Sequence, residues 1–262
     1  MHQMYPRGSS EIKYLDAFGD SDWSLLFKRE LILKKIPSTA HSVLDCGCGG
    51  GHLSRDLLAR GFWVCGIDLD IEALQSTRRR CSPHLLRCSV EALPFRSSSF
   101  GVVLCSDILE HIDDFAALRE IHKVIRDDGW IVANVPAMMK LWSKHDSRIG
   151  HLRRYEKTDL HNLFQRTGFC AVEASFWASN LLPIALLMRK RAPQLKYPAR
   201  CSHALLRKWI LWLLRVDMLL HLPFGVSLIA VARRSAKNDK RLEKNEADPF
   251  IPVPSVEREI RN

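Results

Sequence analysis

The chain has 262 residues, of which 47% are hydrophobic and 26% charged, and its formal net charge is +10. This length and apolar content predict one large globular domain, with or without an appendage. The positive charge favours acidic partners such as anionic lipid headgroups or phosphorylated sugars. Because the charge is widely spread and no nucleic-acid-binding module is recognisable, nucleic acid is not a favoured partner. Eight cysteines without a CxxC pair or a Cys/His ligand spacing predict reduced thiols and a cytoplasmic protein.

Strands and helices alternate along most of the chain. Residues 1–20 lack the apolar core of a signal peptide and are expected to be flexible. A helix is predicted to follow, with Asp22 as its N-cap and Pro37 closing it. The alternation beyond it predicts a parallel sheet with helices on both faces. The expected strands are 42–45, 62–67, 84–88, 101–105 and 130–135. The expected helices between them are 52–60, 71–80, a single turn at 91–93, and 114–125 with Gly129 as its C-terminal stop.

The pattern changes after Pro136. A polar loop leads to a helix over 158–166, a strand over 169–177, an apolar helical segment over 179–222 and a last strand over 225–233. The domain is therefore expected to span residues 21–234. The tail over 235–262 is charged, contains prolines and has no apolar period, so it is predicted to be disordered.

Residues 203–222 are apolar around much of the predicted helix. Trp209 and Trp212 share one face with several leucines, and basic residues such as Arg215 gather on another. Tryptophan and basic side chains in this arrangement suit a membrane interface. Packing of the helix over the acceptor cleft is the alternative. No uncharged run reaches the ~20 residues that a membrane span needs.

The most informative segment joins the first predicted strand to the next helix. Asp45 there precedes a glycine-rich turn that contains Gly47, Gly49 and Gly51. Glycines let the backbone come close to a ligand, and the helix amides beyond them favour polar or anionic groups. The second strand ends about twenty residues later at Asp68, where a carboxylate can bind the two hydroxyls of a ribose. Together these features predict a nucleoside-cofactor site.

The spacing of the turn excludes two other nucleotide sites. A dinucleotide fingerprint needs glycine where this chain has His52, and a Walker A loop needs a Gly-Lys-Ser/Thr run that does not occur. The order Asp-x-Gly-x-Gly-x-Gly from Asp45 resembles motif I of class I S-adenosylmethionine-dependent methyltransferases. The resemblance implies S-adenosylmethionine as the cofactor. It also implies a Rossmann-like seven-stranded sheet, mostly parallel with an antiparallel last strand, in which 179–222 is a helical insertion between the last two strands.

Further cofactor contacts are expected at the ends of the next strands. The segment Ser-Val-Glu-Ala-Leu-Pro-Phe at 89–95 resembles the adenine-contacting segment of the same family, usually Asp-Ala-Glu-x-Leu-Pro-Phe. Ser89 replaces the Asp that accepts a hydrogen bond from adenine, and a hydroxyl can accept it without charge. The cofactor residues that the motifs and the resemblance imply are Asp45, Gly47, Cys48, Gly49, Gly51, Asp68, Leu69, Ser89, Val90, Glu91 and Cys105.

The end of the fourth strand indicates the kind of chemistry. Residues 100–111 resemble motif IV, but 105–108 read Cys-Ser-Asp-Ile. Enzymes that methylate base or glutamine nitrogens resemble one another in an Asn/Asp-Pro-Pro-Tyr/Phe segment here, so that chemistry is not favoured. The Leu-Glu-His run ending at His111 is shared with small-molecule methyltransferases, including ubiquinone O-methyltransferases. Asp107, Glu110 and His111 are near enough for a divalent ion, but three residues on one turn are weak grounds, and no metal is predicted.

The loop after the fifth strand is expected to overhang the carboxyl ends of the sheet, where α/β folds bind ligands. Its Gly-His-x-Arg-Arg-Tyr segment at 150–155 resembles bacterial type 11/12-like methyltransferases. Methyl transfer from a sulfonium needs positioning and removal of water, and a general base when the acceptor is a hydroxyl. His151 is the first candidate for that base and His111 the second, because imidazoles ordinarily titrate near neutral pH. The acceptor contacts expected beside them, an anion clamp and a pocket-lining ring, are Arg153, Arg154 and Tyr155.

The sequence thus predicts a methyltransferase acting on a small or lipid- or glycan-linked acceptor, with oxygen favoured. It is expected in the cytoplasm, with peripheral contact at the inner membrane face through 203–222. Two alternatives stay open. An RNA or protein methyltransferase is favoured by the net charge, and a non-catalytic cofactor-binding protein is favoured by Ser89 and Gly101, which stand where the family usually has Asp.

Overall fold

The computed structural model describes residues 12, 13, 16, 19–183, 186 and 204–234. The predicted disordered tail and part of the predicted insertion lie outside these residues. The strands are β1 (Ser42–Cys46), β2 (Trp63–Asp68), β3 (His84–Arg87), β4 (Phe100–Ser106), β5 (Ile125–Pro136), β6 (Phe169–Trp177) and β7 (Ser227–Arg234). The helices are α1 (Trp23–Lys35), α2 (His52–Leu58), α3 (Ile71–Arg80), α4 (Asp114–Val124), α5 (Lys144–Arg148), α6 (Lys157–Arg166) and α7 (Ala204–Leu220).

The seven strands form one sheet in the order β3-β2-β1-β4-β5-β7-β6. The first five strands run parallel, and β7 lies antiparallel between β5 and β6. This confirms the predicted mostly parallel sheet with an antiparallel last strand. At its middle, Cys46 lies opposite Ile67 on one side and Cys105 on the other. The carboxyl ends of β1, β2 and β4 therefore meet at one edge, where the sequence places its cofactor motifs.

Both faces of the sheet are covered by apolar clusters. One contains Leu44 and Phe100 beneath α4 and α6, and the other contains Val43 and Leu104 beneath α1 and α7. Adjacent residues of β1 thus face opposite clusters, as the alternation of side chains along a strand requires. Burial on both faces explains why these strands read as continuous apolar runs.

Two details of the predicted elements differ in the structure. Gly129 does not end α4, because that helix stops at Val124, where Ile125 turns extended (φ −71, ψ 139). The left-handed residue nearby is Asp128 (φ 62), and Gly129 lies within β5. The predicted single turn at 91–93 is a turn without a helix, bonded from the amide of Ala92 to the carbonyl of Ser89 (3.3 Å).

Helices α1 and α7 pack on the same face of the sheet. Asp22 caps α1 as predicted, accepting from the amides of Ser24 (2.8 Å) and Leu25 (3.3 Å). Leu214 of α7 is fully buried, and Arg215 pairs with Glu30 of α1 at 2.7 Å. Within the described ranges, no helix has the length and apolar character needed to cross a bilayer.

Candidate active site

The glycine turn between β1 and α2 has the left-handed backbone that its composition predicts. Gly47, Gly49 and Gly51 have φ of 68°, 54° and 76°. A side chain at Gly51 would place its Cβ 2.8 Å from Cα of Thr77, so both the angle and the space require glycine. The amide of Cys48 donates to the carbonyl of Ile67 (3.0 Å), which fixes the turn against the end of β2.

Asp68, the predicted ribose ligand, is hydrogen-bonded to the turn. Its Oδ2 accepts from the amide of Gly49 (3.0 Å), and its Oδ1 accepts from the amide of Asp70 (3.0 Å). The hydroxyl of Thr77 donates to the carbonyl of Gly49 (2.8 Å). Since each carboxylate oxygen accepts more than one hydrogen bond, Asp68 retains capacity for ribose hydroxyls. The protein's own hydrogen bonds therefore hold the glycine turn and Asp68 together.

The predicted adenine-side residues follow β2 and β3. Ser89 accepts a hydrogen bond from the amide of Glu91 (3.1 Å), and Glu91 in turn accepts from the amide of Asp113 (2.8 Å). Val90 is buried in the core cluster of that face. These residues, with Asp68 and Leu69, do not line the cavity described next.

A cavity of about 320 Å³ begins at the glycine turn. Asp45 lines it and accepts from the hydroxyl of Ser54 (2.6 Å), which fixes the carboxylate against α2. The wall continues past the end of β4 to the loop before α6. The polar residues along this wall are Lys28, Arg29, Asp45, Cys48, His52, Ser106, Asp107, Glu110, His111, His151 and Ser227, beside Gly47, Gly49 and Gly50. The cavity thus joins the predicted cofactor turn to both predicted bases.

Three ionisable side chains converge at the far end of this cavity. Glu110 and His111 lie on a short 3-10 turn after β4, and His151 comes from the loop before α6. The amide of Leu152 donates to the carbonyl of Glu110 (2.7 Å), which ties the two segments together. The rings of His111 and His151 are 4.8 Å apart at 75°, and Nε2 of His151 lies 3.8 Å from Oε1 of Glu110.

Asp146, which the motifs did not single out, holds His151 in place. Its fully buried carboxylate lies 3.0 Å from Nδ1 of His151 and 2.8 Å from Nε of Arg154, and it accepts from the amide of Ser143 (2.8 Å). Burial alone would raise the pKa of Asp146, but the hydrogen bonds from His151 and Arg154 outweigh it and hold the pKa well below its usual range. An ionised Asp146 only accepts hydrogen bonds, so His151 carries its proton on Nδ1.

A second polar network lies beside the first. Asp107, at the end of β4, contacts Lys28 of α1 and accepts from Nδ2 of Asn134 (2.7 Å). Oδ1 of Asn134 accepts from the indole of Trp177 (2.9 Å). Asp107 has a left-handed backbone (φ 55°), an uncommon geometry for a residue other than glycine. This network brings a lysine to the cavity wall, which the sequence motifs did not predict.

The predicted acceptor contacts do not line this cavity. The guanidinium of Arg153 pairs with Asp114 at 2.6 Å, and the hydroxyl of Tyr155 donates to the same carboxylate (2.8 Å). Burial and the neighbouring Asp114 raise the pKa of Tyr155 well above its usual value. Arg154 pairs with Asp146 and donates to the carbonyl of Ala137 (3.0 Å). Internal carboxylates thus engage the charges that the motif suggested for an anion. The cations that line the cavity, Lys28 and Arg29, are paired as well, with Asp107 and Asp56.

Cys105 lies in the core rather than at the cavity. It is fully buried beside Cys46, and burial together with the Cys105 neighbour raises the pKa of the Cys46 thiol well above its usual value. Cys48, in contrast, lines the cavity wall. Of the two cysteines predicted to contact the cofactor, Cys48 lines this cavity and Cys105 does not.

Described residues of the N-terminal segment contact the two helices beside the glycine turn. Asp20 pairs with Arg55 at 2.8 Å and approaches His52 at 3.2 Å. The hydrogen bond from Arg55 holds the pKa of Asp20 well below its usual range despite partial burial. Asp16 contacts Ser76 and Arg80 of α3. These contacts bring the segment against α2 and α3, beside the cofactor turn.

The strand order and the glycine turn with its paired Asp68 are those of the class I S-adenosylmethionine-dependent methyltransferase fold. The family model described as a methyltransferase domain matches residues 44–133. This range runs from β1 into β5 and contains the turn, Asp68 and the Glu110–His111 pair. Over this range the chain is similar to methyltransferases.

Curated relatives are similar over part of their length. The ubiquinone biosynthesis O-methyltransferase of Nitrosomonas europaea is 37% identical over 101 residues, which cover 34% of this chain and 41% of that protein. The malonyl-[acyl-carrier protein] O-methyltransferase of Pseudescherichia vulneris is 30% identical over 135 residues, covering 48% and 53%. The chain thus spans about half the length of these relatives.

The fold extends beyond the matched region. The solved structure of a methyltransferase from Thermotoga maritima superposes with a TM-score of 0.62 at 14% identity and covers 87% of this chain and 97% of that one. At that identity the likeness concerns the fold alone.

Proposed function

We propose that the protein transfers the methyl group of S-adenosylmethionine to an oxygen atom of a small or lipid-linked acceptor. The observation that carries this proposal is the cavity that runs from the glycine turn to Glu110, His111 and His151. Such a cavity can bring a donor methyl and an acceptor oxygen together and exclude water. Residues 21–234 form the catalytic domain in this proposal, with 179–222 as a helical insertion between the last two strands.

The cofactor supplies an already activated methyl group, because displacement from a sulfonium releases a neutral thioether, which is a good leaving group. The protein's own residues then bind and orient. Asp45 and the turn of Gly47, Cys48, Gly49 and Gly51 receive the methionine end, and Asp68 receives the ribose. The residues proposed to bind the adenine and the adjacent side of the ribose are Leu69, Ser89, Val90 and Glu91.

The acceptor hydroxyl must lose its proton during transfer, because its pKa lies far above neutral pH. With Nδ1 protonated by its contact with Asp146, His151 offers the lone pair of Nε2 to that proton. His111 is the second candidate. The oxygen then attacks the methyl carbon, the bond from carbon to sulfur breaks, and sulfur keeps the electron pair. The names of the ubiquinone and malonyl relatives, both O-methyltransferases, support oxygen as the acceptor atom.

Calorimetric titration tests the cofactor part of the proposal. We expect S-adenosylhomocysteine to bind with a micromolar Kd, and the absence of binding would refute it. Incubation with methyl-labelled cofactor and a fractionated lysate tests the acceptor. Label in small molecules or lipids supports the proposal, whereas label in RNA or protein supports the alternatives. His151→Gln should remove transfer, and the exposed His41→Gln should not.

Peripheral contact with the cytoplasmic face of a membrane is part of the proposal. Trp209 and Trp212 are 63% and 55% exposed on α7, with Leu219 and Leu220 exposed further along. Exposed indoles and leucines on a helix with basic neighbours suit an anionic lipid surface. Co-sedimentation with anionic vesicles should be lost in a Trp209→Ser/Trp212→Ser variant and kept in Trp63→Ser, which changes an exposed Trp elsewhere. Equal sedimentation of all three proteins would contradict the contact.

A further inference from the structure

The carboxylate and imidazoles at the far end of the cavity have the arrangement of a metal-ligand set. One ligand atom each from Glu110, His111 and His151 lies within 4.8 Å of the others. In a tetrahedral site, ligand atoms about 2.1 Å from the ion stand about 3.4 Å apart. Side-chain movements of roughly 1 Å or less therefore suffice to bring the three atoms onto one ion.

The hydrogen bonds behind the two imidazoles point to the same use. Nδ1 of His151 faces the carboxylate of Asp146 at 3.0 Å, and Nδ1 of His111 faces the carbonyl of Gly150 at 3.2 Å. Both partners only accept, so both rings are protonated on Nδ1 and carry their lone pair on Nε2. Metal-binding histidines almost always donate their second nitrogen to a carboxylate or a carbonyl in this way. The 75° between the rings keeps them from stacking.

We propose that Glu110, His111 and His151 bind a divalent first-row transition-metal ion at the acceptor end of the cavity. Two imidazoles and one carboxylate suit Zn²⁺, Mn²⁺, Fe²⁺ or Co²⁺ better than Mg²⁺ or Ca²⁺, which prefer oxygen ligands. Three protein ligands leave coordination positions open. Because the three residues line the cavity, those positions face the space where the acceptor binds.

The ion defines the class of acceptor, an inference that rests on the proposed function. Two adjacent oxygens, as in a catechol or a vicinal hydroxy-carboxylate, can occupy two open positions together. A bound cation lowers the pKa of a hydroxyl, so its proton leaves to water before transfer. The oxygen then attacks the methyl carbon and sulfur keeps the electrons of the broken bond. When the ion is bound, the lone pair on Nε2 of His151 coordinates it. Without the ion, the same lone pair can accept the proton of the acceptor hydroxyl.

Calorimetry with ZnCl₂, MnCl₂ and MgCl₂ on chelator-treated full-length protein tests the site. We expect one Zn²⁺ or Mn²⁺ per chain and much weaker Mg²⁺ binding. Glu110→Gln and His111→Asn should each abolish binding, and Asp146→Asn, which acts through His151, should weaken it about 10- to 100-fold. Glu173→Gln and His161→Asn are matched controls outside the cluster and should bind normally. Co²⁺ should give an absorption band that Glu110→Gln loses.

Binding of S-adenosylhomocysteine to the same proteins separates this inference from the proposed function. No transition-metal binding, or binding that Glu110→Gln and His111→Asn leave unchanged, would overturn the metal site. If cofactor binding is then intact, the methyltransferase proposal stands with His151 as the base. Metal binding without cofactor binding would instead leave the metal site and overturn the methyltransferase proposal. Retained cofactor binding also shows that a variant has folded.

Discussion

Asp146→Asn removes the charge on which the acceptor end of the cavity is built. The fully buried carboxylate contacts Ser143, His151 and Arg154, and Arg154 is itself only 7% exposed. Breaking a buried ion pair from one side typically destabilises a protein by about 3–5 kcal/mol, because the remaining charge is left without compensation. For a domain of this size the expected loss in Tm is about 6–20 °C. Transfer activity should fall about 10²- to 10⁴-fold, since the proton on Nδ1 of His151 is no longer fixed.

Thermal unfolding followed by circular dichroism measures the first effect. The matched control is Asp128→Asn, because the Asp128–Arg233 pair (3.1 Å) is exposed and exposed pairs contribute about 0–1 kcal/mol. Asparagine also tolerates the left-handed backbone of Asp128. If Asp146→Asn and Asp128→Asn unfold at the same temperature, the carboxylate does not support the site as argued.

The pH dependence of the protein's stability tests the same role of Asp146. The folded-state pKa of Asp146 is lowered, so its stabilising contribution is complete above the unfolded value of about 3.9 and is lost as pH falls through the lower folded value. The wild-type protein should lose stability below about pH 4 more steeply than Asp146→Asn. Parallel pH profiles of unfolding free energy would contradict this assignment.

Three further predictions concern the cofactor side. Gly51→Ala should destabilise the protein more than Gly61→Ala. Both glycines have positive φ, but only a Cβ at Gly51 would clash with backbone, that of Thr77. Equal free energies of unfolding in urea for the two variants would refute this. Asp68→Asn should weaken cofactor binding about 10- to 100-fold in calorimetry, whereas Asp70→Asn, which keeps its N-cap, should not. Burial raises the pKa of Cys65 to about 11, so native protein at pH 8 should alkylate there far more slowly than unfolded protein, and equal rates would contradict the burial.

The sheet and the cofactor turn were largely predictable from the sequence. Strands that are buried on both faces are recognisable as continuous apolar runs. The glycines between β1 and α2 are recognisable because the turn needs backbone angles that few other residues adopt. That His111 and His151 lie close together was also predictable, because they follow strands whose carboxyl ends share one edge. They meet there although 151 − 111 = 40 positions separate them along the chain.

The acceptor contacts were less predictable because they depend on which charges pair inside the protein. A motif with two arginines and a tyrosine does not reveal that Asp114 and Asp146 engage them. Lys28 lines the cavity from α1, but in the sequence it looks like any other polar residue on the solvent-exposed face of a helix. A usable signal existed for Asp107 and Asn134, since both are polar residues at the ends of adjacent parallel strands, where Ser106 pairs with Asn134.

The hydrogen bond from the amide of Gly49 to Asp68 has a consequence for exchange of the cofactor. The turn is already held by Asp68, Thr77 and Ile67, so ligand entry requires little ordering of the chain. Apparent affinity falls in proportion to the fraction of molecules in the competent shape. In the wild-type protein the fraction of molecules with a correctly shaped turn is therefore near one. Loss of the Thr77 hydroxyl would lower that fraction, and the apparent Kd would rise although no contact to the ligand is removed.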